Sequence, residues 1–119
     1  MYHYGFELVE VIDGDTIKAI VDCGFTVKVE VTFRLTGINA PEKKMSTRAA
    51  GYAAKDYLTD LLTQQVERLE LHSEKSPNTE KYGRWLAHIF VFRGGELAPL
   101  DVNAAMIDAG HAVPFMVGK

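Results

Sequence analysis

Three short stretches put chemistry-bearing residues at the ends of candidate strands: DGDT at 13–16, RLTGINAPE at 34–42 and KYGRWLA at 81–87. Taken singly, each has a plain structural reading. An aspartate beside glycine forms turns, a glutamate after proline caps helices, and an arginine in a strand faces solvent or pairs with a surface acid. Taken together, they supply complementary parts. A hard cation needs oxygen ligands, which Asp15, the side-chain carbonyl of Asn39 and the main-chain carbonyl of Ala40 can offer. Two arginines, Arg34 and Arg84, suit a phosphate, because each guanidinium fork binds two oxygens. Glu42 beside a metal-bound water can serve as general base. Cation, base and paired arginines are what a phosphodiester hydrolase requires. Asn39 is the irregular member: its amide oxygen can ligate calcium, but it contributes no charge, and a weaker metal site is expected.

These residues must be positioned by a scaffold of modest size. The chain has 119 residues, enough for one domain over 1–119 with a single core. Residues 6–12 and 16–22 are Val- and Ile-rich runs separated by DGD, a hairpin pattern in which Gly14 supplies turn geometry. In VKVEVTFRL, Val27, Val29, Val31, Phe33 and Leu35 alternate with polar residues, the period of a strand with one buried face. Arg34 then points away from the valine face. Pro41 ends that strand in a loop. Between Thr47 and Gln65, Ala50, Ala54, Leu58, Leu61 and Leu62 recur at helical spacing and predict one amphipathic helix. VERLELHS and RWLAHIFVF read as strands, EKSPNTEK as a polar loop, and RGGELAP as a Gly-rich hairpin turn. VNAAMIDAG predicts a short helix with Val102, Ala105, Met106 and Ala109 on one side and Gly110 closing it. Four or five mostly antiparallel strands with a long and a short helix give an α+β domain built on a small closed barrel.

Composition narrows the remaining classes. The net charge is −3 at pH 7, which argues against holding nucleic acid through a broad basic surface but leaves room for a local positive cleft. Lys43, Lys44 and Arg48 follow Glu42 closely; Lys43 and Lys44 are candidate phosphate contacts, with a solvated helix entrance as the alternative. Cys23 is the single cysteine, so no intrachain disulfide or cysteine-based structural zinc site can form. His3, His72, His88 and His111 show no metal-ligand spacing and are read as solvent-exposed or packing residues. No stretch is apolar enough to span a bilayer, and MYHYGFELVE lacks the pattern of a secretory signal. The expectation is a cytoplasmic monomer with no membrane partner.

From VIDGDT through RLTGINAPE, GYAAKDYLTDLL and YGRWLAHIFV to DVNAAMIDAGHA, roughly residues 8–112, the chain resembles the staphylococcal-nuclease-like (thermonuclease) family. The resemblance implies a five-stranded OB-fold barrel with packed helices. It also implies a calcium-dependent nuclease cutting single- or double-stranded DNA and RNA to leave 3′-phosphate ends. Under it, Asp15 matches the first metal carboxylate, Asn39 stands in place of the second, and Ala40 ligates through its carbonyl. Glu42 matches the general base, Arg34 and Arg84 the phosphate-binding arginines, and Tyr82 an aromatic beside the nucleotide. VFRGGELAPL is longer than a minimal hairpin. Beside the hydrolase stands a second expectation, a barrel that binds single-stranded nucleic acid or a protein partner without cutting. A third is a purely structural calcium site.

Overall fold

The computed structural model describes residues 2–42, 46–73 and 85–115. Along these run β1 (Tyr2–Asp13), β2 (Thr16–Asp22), β3 (Lys28–Leu35), β4 (Ile38–Asn39), α1 (Arg48–Thr63), β5 (Arg68–Ser73), β6 (Trp85–Phe92), β7 (Leu100–Asp101), α2 (Val102–Asp108) and β8 (Val113–Pro114). The order in the main sheet is β3-β2-β1-β5-β6-β7, and a parallel pairing of β3 with β6 closes its first five strands into a barrel. The α+β, OB-fold-like architecture expected from the sequence is therefore present.

Closure depends on β1. Its first residues, from Tyr2 to Phe6, pair with β5, whereas Phe6 to Asp13 pair with β2. Two register shifts, between Leu8 and Glu10 and between Val11 and Asp13, bend the strand. Such bulges increase local twist and let one long strand serve both sides of a barrel. The interior is apolar, with Ile17, Leu35, Leu71, Ile89 and Val91 among its fully buried side chains.

Helix α1 closes the barrel with Gly51, Ala54, Leu58 and Leu62 buried. The predicted stripe is correct at 54, 58 and 62 but not at Ala50, which is exposed while its neighbour Gly51 is buried. Glycine has no side chain to mark it as a core residue, so apolar periodicity passes over it. In α2 the buried residues are Val102, Asn103 and Met106, whereas Ala109, expected on the packed side, is exposed at the C-cap. Gly110 follows at φ 81°, the left-handed closing residue foreseen.

Strand β3 obeys its expected period only in its second half. Phe33 and Leu35 are buried, but Val27 and Val29 are exposed, because the β2–β3 hairpin extends past the core. Alternation reports which face a residue is on, not how far along the strand the core reaches.

Candidate active site

Asp15 and Arg34 are both 8% exposed, buried charged residues at one edge of the barrel. Burial at this level costs several kcal/mol per charge unless partners satisfy it. For Asp15 the partners are close. Its Oδ1 accepts from the Thr16 hydroxyl at 3.0 Å, and its Oδ2 accepts from the Ala40 N–H at 3.0 Å. Its main-chain carbonyl accepts from the Leu35 N–H at 2.8 Å. One aspartate thus ties the β1–β2 turn to both ends of the 35–40 segment.

The turn itself is set by a close approach. A Cβ on Gly14 would lie 2.6 Å from the Ala54 Cβ and 2.9 Å from the Ala40 Cβ. The sequence reading gave Gly14 a turn-geometry role, but its φ is not in the left-handed region. Its hydrogen side chain instead lets α1 and residue 40 press onto the DGD turn, keeping Asp15 and Ala40 adjacent. Gly37, at φ 79°, is the glycine that backbone geometry requires, reversing the chain between β3 and β4.

Arg34 lies on the other side of the same cluster. Its Nη2 donates to Asn39 Oδ1 at 3.1 Å and sits 3.6 Å from Asp15 Oδ2. Its Nη1 is buried with no hydrogen-bond partner among the described residues. The Phe115 ring covers the guanidinium, with Cζ 5.0 Å from the ring centroid. Phe115 is held there because β8 pairs with β4, placing Val113 opposite Asn39, and because the Phe115 N–H donates to Gly37 O at 2.8 Å. This small β4–β8 ladder was not foreseen, since two-residue strands carry no periodicity. Arg34 points away from the apolar face as expected, but into this buried cluster.

Asn103 is a positioning residue the sequence reading missed. Its Nδ2 donates to Thr36 O at 2.8 Å and to Ala87 O at 3.3 Å, and its Oδ1 accepts from the Ile89 N–H at 3.0 Å. This amide from α2 pins the turn after Arg34 to β6. An asparagine inside a predicted helix is the one signal that could have drawn attention to it, because that residue type favours caps and turns.

Of the predicted site residues, the structure brings Asp15, Arg34, Asn39 and Ala40 into one cluster. Glu42 is exposed just beyond it, and its main-chain carbonyl accepts from the Thr47 hydroxyl at 2.6 Å, closing the approach to α1. Lys43, Lys44, Tyr82 and Arg84 lie outside the described residues. The donor set fits a hard divalent cation: a carboxylate, an amide oxygen and a main-chain carbonyl are all oxygen ligands. The Asp15 and Asn39 oxygens already converge on a positive centre, the Arg34 Nη2.

The profile of the family described as Staphylococcal nuclease homologue matches residues 32–118. The chain belongs to this family. It is 40% identical over 111 residues to Protein ParB of Escherichia coli, covering 89% of this chain and 54% of that protein. It is 32% identical over 109 residues to the Micrococcal nuclease of Shigella flexneri, covering 89% of this chain and 55% of that one. An uncharacterised protein of Methanocaldococcus jannaschii is 28% identical over 129 residues, covering 92% and 58%. The chain spans just over half the length of these curated relatives.

The sequence predicts exposed or packing roles for all four histidines; His3 is exposed and the other three are half-buried, and β-sheet register also sets three of them side by side. His3 is opposite His72 in the β1–β5 ladder, and His72 is opposite His88 in the β5–β6 ladder. Only pairing between distant strands makes this row, so linear spacing could not show it. His111 packs against Tyr57, with ring centroids 4.7 Å apart.

Proposed function

We propose that this domain is a calcium-dependent phosphodiesterase that hydrolyses DNA or RNA. The observation that carries the reading is Arg34: a buried guanidinium with one nitrogen held by Asn39 and Asp15 and the other, Nη1, with no hydrogen-bond partner among the described residues. An unsatisfied buried charged donor costs more than it returns unless something completes it. A phosphate oxygen has the charge and geometry to do so. Membership of the nuclease family supports the same substrate class.

Asp15, Asn39 and the Ala40 carbonyl would hold the cation, which when bound supplies positive charge to offset that building on the phosphate oxygens. Arg34 orients the phosphate and stabilises that same charge through its fixed donors, which need no reorganisation during the reaction. Glu42 takes the proton of the attacking water; its exposed place beside the loop leaves it open to solvent and substrate. Arg84 would supply the second guanidinium, and Tyr82, Lys43 and Lys44 would line the path of the nucleic acid.

The test is incubation with single-stranded and duplex DNA and with RNA, in calcium, magnesium, manganese or EDTA. Cleavage in calcium that EDTA abolishes is the expected result. Binding without cleavage under every condition would replace the hydrolase with a nucleic-acid-binding barrel, and a calcium-induced rise in melting temperature without either would leave a structural ion site.

A further inference from the structure

The row of histidines has a carboxylate beside it. Glu70 precedes His72 by two residues on β5, so both project from one face. His3 stands directly across on β1, where opposed Cβ atoms are about 4.5–5.5 Å apart. One nitrogen from each histidine and one Glu70 oxygen all lie within 4.8 Å of one another. The His72 Nε2 and Glu70 Oε1 are 3.1 Å apart, and the His3 and His72 rings stack at 3.6 Å with 4° between their planes.

We propose that His3, Glu70 and His72 bind a divalent transition ion, with zinc as the natural occupant. Tetrahedral zinc with nitrogen and oxygen ligands at about 2.0 Å spaces those ligands about 3.3 Å apart. The His72–Glu70 separation already matches one edge of that tetrahedron, so the ion can replace the contact between them without moving either backbone. His3 is exposed, and its ring can tilt out of the stack toward the other two ligands without disturbing the core. Phe90, with its ring centroid 4.4 Å from that of His72, backs the central ligand. Three protein ligands leave a fourth position for water. Two imidazoles select zinc, cobalt, nickel or copper over calcium, so this site differs in kind from the all-oxygen cluster around Asp15. It also lies at the opposite end of β1 from the DGD turn. A bound ion would staple the first residues of β1 to β5.

The test is titration of the full chain with zinc chloride by calorimetry, with cobalt(II) chloride as a visible-absorption probe of tetrahedral coordination. Expected are one zinc per chain at micromolar concentration, d–d bands on adding cobalt, and a higher melting temperature with zinc. His72→Ala, His3→Gln and Glu70→Gln, each checked for fold by circular dichroism, should weaken zinc binding at least tenfold and remove the cobalt bands. Asp15→Ala should retain them. The proposal is overturned by absence of saturable zinc binding, by binding that the histidine variants leave unchanged, or by binding that disappears only with Asp15→Ala. None of these outcomes depends on nuclease activity, so the hydrolytic reading stands or falls separately.

Discussion

Arg34 and Asn39 define a charge balance that one substitution can tip. Among the described residues, one carboxylate and one neutral amide stand around Arg34, so the side-chain oxygens they offer to a cation carry a single negative charge. Calcium affinity rises with ligand charge. Asn39→Asp should therefore tighten calcium binding measured by calorimetry, even though the new carboxylate also attracts Arg34, because a divalent ion gains more from the added charge than a monovalent one. An unchanged affinity would remove residue 39 from the ligand set. Glu42 tests the other half of the chemistry. If it is the general base, Glu42→Gln should lower kcat by about 10² to 10⁴, with the circular dichroism spectrum and melting temperature unaltered. Wild-type rates in that variant would rule the role out. The exposed position of Glu42 makes an intact fold the natural outcome, since an isosteric amide there leaves the core packing untouched.

At the scale of elements, the site depends on how closely α1 approaches the β1–β2 turn. Gly14→Ala would drive a methyl group to 2.6 Å from the Ala54 Cβ and 2.9 Å from the Ala40 Cβ, contacts that neither rigid neighbour can relieve by rotating. Overpacking of this kind costs about 1–3 kcal/mol. A lowered urea midpoint with an unchanged slope is expected, together with a loss of calcium affinity as Asp15 and Ala40 are pushed apart. A stability equal to wild type would mean that α1 moves away freely. The same elements show what the sequence made legible. The hairpin at DGD, the helix carrying Ala54, Leu58 and Leu62, and the convergence of Asp15 with Arg34 and Asn39 all follow from local patterns joined to the family resemblance. What escaped depends on tertiary contact. Gly14 and Gly51 matter because they lack atoms, Asn103 because three main-chain groups from two segments meet its amide, and the His3–His72–His88 row because strand register creates it. Val29 shows the opposite failure: its strand period is correct, but the core stops short of it.

Across the whole molecule, the cluster is assembled from segments nearly the full chain apart: the turn at Asp15, the run from Arg34 to Ala40, and the end of the described chain at Val113 to Phe115. The last of these belongs to neither the closed barrel nor the helices. It reaches the site through the β4–β8 ladder, the Phe115 N–H bond to Gly37 and the ring over Arg34. A chain ended after Ala112 keeps the barrel strands, both helices and the buried core, so it should fold with a near-native far-ultraviolet spectrum. It loses the β4–β8 ladder and the Phe115 N–H bond to Gly37, each main-chain hydrogen bond worth about 1 kcal/mol, and an aromatic–guanidinium contact of about 0.5–1 kcal/mol. If that energy goes into fixing Arg34 and Asn39, kcat/KM should fall by at least about tenfold. Calcium affinity should fall with it, because Asn39 loses its partner strand. Full activity in the shortened chain would show that Asp15, Asn103 and the turn at Gly37 fix Arg34 unaided. A collapse of the spectrum would instead make the terminal segment part of the fold's own stability.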